Sequence, residues 1–380
     1  MGIQELLSQF HAVASDPSAQ KNAYLAKGKK IALTAPVYTP EEIIHSMGIV
    51  PMGVWGGDLE LKESKKYFPA FICSIMQSLV EIGMRGTYEG ASAIVIPSLC
   101  DSLKVLGQNW KYAVPSIPFI PMTYPQNRKP EFGADFTRAG YERVICDLEK
   151  VTGLRFDPAR LDKSLEIYNE HNAVMRDLSE TLSGHPEILV SQRSDIFKSA
   201  FFILKEEHTA LVRSLLSELK TRPAGPEKIR IMTSGILADA PALTGILDEY
   251  GMQVAADDIA AESRQYRVDA PQGNDPLDRL VQKFRAMDNC SVLYDPEKKR
   301  VAFVVEEAKA RKARGVLVIL TKFCDPEEFD YPLIKRACEA NKIPCIIVEV
   351  DRQMVNYEQA RTVIETFRDL LSQKQIITGV

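Results

Sequence analysis

The spacing of apolar residues divides the chain into three stretches. In the first, the short apolar runs KKIALT (residues 29–34), IVPMGVWG (49–56), SAIVIP (92–97) and PSIPFIP (115–121) read as buried strands. Between them lie amphipathic segments. TPEEIIHSMG (39–48) predicts a helix with Thr39 at the N-cap, Pro40 at the first helical position and Gly48 as its stop, and PAFICSIMQSLVEIG (69–83) predicts one whose first turn holds Cys73. From about 151 to 220 strand signals vanish, and segments such as LDKSLEIYNEHNAVMRDLSETL show apolar residues three and four apart with charges between them. After the Pro/Gly-rich TRPAGPEK (221–228), strands return in KIRIMTSG, GMQVAADD, GVLVILTKFC and IPCIIVEVD.

Strands alternating with helices imply parallel sheets covered on both faces. The expected fold is α/β: two Rossmann-like or flavodoxin-like lobes with parallel sheets, joined by a helical middle segment. The divisions are 1–150, 151–222 and 223–380. The two ends follow one plan. KIALTAPVYTPEEIIHSMGIVPMGVWGGD and KIRIMTSGILADAPALTGILDEYGMQVAADD share the order strand, small-residue turn, helix, glycine, strand. Further on, SAIVIPSLCDSL parallels GVLVILTKFCDPEE, so Cys100 and Cys324 stand at equivalent points, each just past a strand. Open parallel sheets place ligand sites at the carboxyl ends of their strands.

Composition removes several classes of function. With 45% hydrophobic and 26% charged residues, the 380-residue chain is an ordinary globular protein, neither disordered nor a coiled coil. Lys and Arg number 47 against 51 Asp and Glu, a net charge of −4 with the signs interspersed, so no basic stripe is available for nucleic acid. Apolar runs stop far short of the roughly 20 residues that cross a bilayer. The N-terminal MGIQELLSQF has neither a signal-peptide pattern nor, with Leu6, a myristoylation signal, and a cytoplasmic protein is expected.

No G-x-G-x-x-G follows a strand and no phosphate-binding P-loop occurs, which disfavours a dinucleotide or ATP site. His11, His45, His171, His185 and His208 form no zinc motif and are expected at the surface or on helix faces. The seven cysteines are expected to be thiols. Cys146, Cys290, Cys338 and Cys345 read as small core residues. Cys73, Cys100 and Cys324 differ, each near a helix start or strand end where backbone N–H groups favour a thiolate. Cys324 leads into Asp325-Pro326-Glu327-Glu328, a helix start with Asp325 as its cap. Their separations match no compact ferredoxin pattern, so spacing alone leaves both a metal site and simple packing open. If the three meet between the lobes, they can hold three irons of a 4Fe-4S cluster and leave the fourth open.

Several longer stretches are more specific. PVYTPEEIIHSMGIVPMGVWGG, YFPAFICSIMQ, PSLCDSLKVLGQNWK, YPQNRK, AADDIAAESRQYRVD and TKFCDPEEFDYPLI resemble the 2-hydroxyacyl-CoA dehydratase family, in particular its smaller, beta-type subunits, over nearly the whole chain. The resemblance implies one 4Fe-4S cluster per chain, in the cleft between the lobes, with Cys73, Cys100 and Cys324 as its ligands. It implies a heterodimer with a homologous alpha-type subunit, an ATP-dependent iron-sulfur activator that delivers a low-potential electron, and an acyl-CoA substrate. The beta-type cluster is then expected to relay the electron to the catalytic subunit.

Within that picture Glu41 and Glu42 are candidate acid-base or supporting groups facing the cluster, Glu41 first among them, the plainer reading being an acidic first helical turn. Trp55 and Trp110 are either shields for the cluster or core aromatics. The run Tyr124 to Lys129 is a candidate contact for CoA phosphates or the partner, or else a solvated loop. Two rivals remain: a subunit of a benzoyl-CoA-type aryl-CoA reductase, and a cluster-free structural partner.

Overall fold

A computed structural model describes residues 2–377. Among the described residues, the strands β1 (Ile31–Thr34), β2 (Val50–Gly53), β3 (Ala93–Pro97) and β4 (Phe119–Met122) form one parallel sheet in the order β2-β1-β3-β4. β5 (Ile229–Gly235), β6 (Met252–Ile259), β7 (Gly315–Thr321) and β8 (Cys345–Val350) form a second, β6-β5-β7-β8. The orders are the same, each second half-strand replaced by its counterpart, so the weak repeat in the sequence is a repeat of topology.

The strands are apolar because both faces are covered. Along β7, Leu317 and Ile319 pack toward the helices Pro241–Glu249 and Glu358–Ile377, while Val316 and Val318 pack toward Lys299–Ala310 and Asp325–Ala340. The middle of the chain is helical as its periodicity predicts, in Pro158–Ser183, Val190–Ser199 and Lys205–Lys220. FKSAFFILKEEHTALVRSLLSELK is not one helix, since residues 200–204 form a turn that buries Phe201, Phe202 and Ile203. The N-terminal helix Ile3–Ser15 joins these middle helices, with Leu6 and Phe10 in one apolar cluster with Leu178, Phe197 and Leu215.

Local corrections are small and have clear causes. Thr39 does not cap its helix; Glu41–Ser46 begins after Pro40, and the buried Thr39 hydroxyl donates to Ala35 O at 2.7 Å, tying the loop to the end of β1. Cys73 is the N-cap of Ser74–Met84 rather than part of its first turn, because residues 69–72 form a separate turn. Likewise Cys324, not Asp325, caps Asp325–Ala340, its carbonyl accepting from the Glu327 and Glu328 amides at 3.0 Å. Among the described residues no helix is long and apolar enough to cross a membrane.

Candidate functional site

Both sheets reverse direction of travel at the same place in their order, between β1 and β3 and between β5 and β7, and such switch points open a crevice at the strand ends. The two crevices meet. A cavity of about 560 Å³ is lined by Val37 after β1, Cys100 after β3, Ile236 after β5 and Cys324 after β7, with Cys73 on a further wall. The structure therefore brings together three cysteines separated by up to 251 positions in the chain.

Each of the three occupies the N-cap of its helix: Cys73 for Ser74–Met84, Cys100 for Asp101–Ala113 and Cys324 for Asp325–Ala340. The first-turn amides of Ile75 and Met76 near Cys73, of Ser102 and Leu103 near Cys100 and of Glu327 near Cys324 favour the charged form of each sulfur without closing a cap hydrogen bond to it. Three positive helix ends thus converge on one cavity. Burial nevertheless dominates. It pushes the Cys73 thiol up to about 12 and raises Cys100; Cys324 rises well above an ordinary thiol through burial, with repulsion from Cys73 added.

Three thiolates so close cannot coexist in a buried site unless positive charge replaces their protons. Thiols at N–H-rich helix ends, open to a cavity of this size, have the chemistry that could hold an iron-sulfur cluster. Among the described residues no three His, Cys, Asp or Glu side chains converge tightly enough to chelate a single metal ion. A 4Fe-4S cluster would ask for a wider arrangement, since each cysteine would hold a different iron.

Behind Cys324 lies a buried ionic network. The Glu327 carboxylate accepts from Arg264 at 3.1 Å, from Arg300 at 2.7 Å and from Ser291 at 2.7 Å. Asp258 accepts from the same two arginines at 2.9 and 2.7 Å; burial would raise its carboxyl, but the charges of Arg264 and Arg300 outweigh that and hold it well below the usual carboxylate range. Arg264, Arg300, Asp258 and Glu327 are all at most 3% exposed. Here Glu327 donates its amide to the Cys324 carbonyl at 3.0 Å and is clamped from behind.

Other candidates fall elsewhere. Glu41 and Glu42 do not line the cysteine cavity; Glu41 pairs with Lys205 at 3.1 Å and Glu42 with Lys283 at 2.6 Å around a separate cavity of about 60 Å³. Trp55 packs on Phe201 with ring centres 5.2 Å apart, and Trp110 is fully buried with its Nε1 donating to Ile117 O, so both are core aromatics. YPQNRK is not a solvated loop. Arg128 is 2% exposed and donates to Tyr294 O, Asp288 and Met287 O, fixing a segment whose residues 291–294 form a cavity wall.

Cys290 and Cys338 are buried as expected, but Cys146 is exposed on its helix. His171 and His208 are buried and hydrogen-bonded to each other at 3.0 Å, not at the surface; burial holds both below ordinary histidine, His208 at about 3.

A family model described as the 2-hydroxyglutaryl-CoA dehydratase D-component matches residues 36–371. The chain belongs to that family. It is 48% identical over 370 residues to the (R)-phenyllactyl-CoA dehydratase beta subunit of Clostridium sporogenes, covering 97% of this chain and 99% of that one. It is 37% identical to the lactoyl-CoA dehydratase subunit beta of Anaerotignum propionicum (97% and 99% covered) and 35% identical to the (R)-2-hydroxyglutaryl-CoA dehydratase subunit beta of Acidaminococcus fermentans (98% and 100%).

In this dehydratase-family chain, sequence reasoning singled out the three cysteines but not Arg264, Arg300 or Glu327 as structural supports. The available signal was an acidic pair, Asp257-Asp258, placed inside an otherwise apolar strand, where charge demands a buried partner.

Proposed function

We propose that this chain is the beta subunit of an (R)-2-hydroxyacyl-CoA dehydratase, paired with a homologous alpha subunit and served by an ATP-dependent iron-sulfur activator. The observation that carries the reading is the convergence of Cys73, Cys100 and Cys324, each at a helix N-terminus, on one cavity. Those thiolates would hold a 4Fe-4S cluster, and a cluster bound there supplies one-electron transfer. Seven free thiols fit a reducing, cytoplasmic setting.

Removing water from a 2-hydroxyacyl thioester takes a hydroxyl from the α carbon and a proton from the β carbon, and that proton is not acidic. One-electron reduction of the thioester carbonyl to a ketyl radical removes the obstacle, since the hydroxyl can then leave and the β proton becomes acidic. This chain's own part is to fix the sulfurs. Amides of Ile75, Met76, Ser102, Leu103 and Glu327 stabilise negative charge on them, and the apolar wall of Val37, Ile75 and Leu293 limits water.

The test is iron and acid-labile sulfide on this chain after anaerobic purification with the alpha subunit and separation of the two. About four of each per chain is expected, falling sharply in Cys324→Ser. Iron near zero in the wild-type chain, or iron indifferent to the substitution, overturns the reading and leaves a subunit that only completes its partner.

A further inference from the structure

The small cavity beside Glu41 and Glu42 lies where the three stretches of the chain meet. Thr39 and Glu42 reach it from the first stretch, Tyr168 and His171 from the helical middle, and Tyr266 and Lys283 from the last. Its volume of about 60 Å³ has room for roughly four water molecules at about 15 Å³ each.

The polar groups around it do not satisfy one another, and hydrogen-bond accounting shows which are left over. Ser199 Oγ donates its proton to Ile196 O at 2.8 Å. Both neighbours of His208 Nε2, Ile196 O at 3.0 Å and Ser199 Oγ at 3.1 Å, are therefore acceptors, and that nitrogen carries the proton. Burial keeps both His208 and His171 neutral, so His208 Nδ1 is a bare acceptor, and His171 Nε2 donates to it at 3.0 Å. The remaining nitrogen, His171 Nδ1, then offers a lone pair. It belongs to a residue only 1% exposed and meets no donor among the described residues. Lys283 spends one N–H on Glu42 Oε1 at 2.6 Å, which leaves two N–H groups and the second Glu42 oxygen with no side-chain or backbone partner among the described residues.

These leftovers fix the chemistry of an occupant. It must donate, because His171 Nδ1 can only accept, and it must accept, because Lys283 can only donate. It must also be neutral: Glu41 is balanced by Lys205 at 3.1 Å and Glu42 by Lys283, so an ion would add an unpaired charge to a buried site. We propose that this cavity is a buried hydration site, holding ordered water that donates to His171 Nδ1 and accepts from Lys283. Water there carries hydrogen bonds between the helical middle and the two lobes, whose polar groups at this joint are otherwise paired only in part.

The experiment is joint X-ray and neutron diffraction from crystals of the purified chain exchanged into heavy water, with the alpha subunit present if the two copurify. The expected result is deuterium on Nε2 of both His208 and His171, none on His171 Nδ1, and a water molecule directing one of its deuterons at that nitrogen, with further water on Lys283. A dry cavity overturns the proposal. So does deuterium on His171 Nδ1, a side chain filling the space, or density with the shape of a metal ion, ammonium or an organic molecule. The readout is the wild-type chain itself and depends on neither a variant nor bound iron.

Discussion

Arg352, just past β8, donates its backbone N–H to Ser74 Oγ at 3.1 Å, so the residue that follows Cys73 is held by the opposite half of the chain. Its buried guanidinium extends the grip to Asp58 at 2.9 Å, Trp55 O at 3.2 Å and Asp239 at 3.1 Å. Asp239 and Asp58 compensate the charge and keep the guanidinium firmly protonated despite burial.

Arg352→Ala removes one partner of that group and leaves Asp239 buried against Lys198 alone. The expected cost is roughly 3–5 kcal/mol of stability in denaturant unfolding. The backbone N–H to Ser74 survives this substitution, so iron per chain should fall only as far as the loss of the guanidinium ties to Asp58 and Trp55 O loosens the segment before Cys73. Unchanged iron at reduced stability would separate the clasp from the cysteine site.

Glu327→Gln keeps the shape of the side chain but removes the charge between Arg264 and Arg300. Each arginine retains Asp258, and Arg300 also retains Asp330 at 2.9 Å, yet one buried carboxylate must now serve most of two cations. Destabilisation of roughly 3–5 kcal/mol is expected. Faster alkylation of Cys324 in the iron-free chain, compared with Cys73, would show that the loosening is local to the Asp325–Ala340 helix.

Gly235 ends β5 where a methyl group would run into the carbonyl of Ile319 on the neighbouring β7. Backbone in a sheet cannot move aside as a flexible side chain can. Gly235→Ala should cost about 1–3 kcal/mol, and more if the strands separate. Gly245→Ala, with open space at the added atom, is the matched control and should be near neutral.

The His171–His208 pair predicts a pH dependence with a definite sign. Burial keeps both neutral in the folded chain, His208 at about 3, while in the unfolded chain each titrates near 6.5. The unfolded state thus binds more protons below about pH 6.5, and the stability present above that pH is lost as pH falls toward 3. Each histidine contributes up to about 1.4 kcal/mol per pH unit. Glu262 opposes them, since burial raises it to about 7 and favours the folded state as pH falls through that value. Unfolding midpoints of wild type and His208→Asn between pH 7 and 5 should converge as the pH drops.

Strand positions and the internal repeat were legible because apolar runs of four to eight residues carry their own boundaries. The three cysteines were legible because strand ends and helix starts are local signals. What escaped was the ionic scaffolding. Arg352 meets Asp239 across 113 positions and Arg300 meets Asp258 across 42, and in a linear reading such charges look like solvated surface. Glu41 and Glu42 show the converse: the acidic first turn was correctly placed, but only three dimensions reveal that Lys205 and Lys283 occupy them away from the cysteine cavity. Arg128 hid in the same way, a cation among polar neighbours that turns inward to hold backbone carbonyls.

The matching strand orders leave one sulfur after β3 and one after β7, and the remaining sulfur, Cys73, comes from the first half alone. Neither half can therefore assemble the centre unaided: one brings two sulfurs and the other a single one. If the proposed cluster is held there, metal content becomes a gauge of closure. A chain whose halves fold but stay apart would keep its helicity and lose its iron, so the iron-to-protein ratio measures how faithfully two similar halves have been pressed face to face.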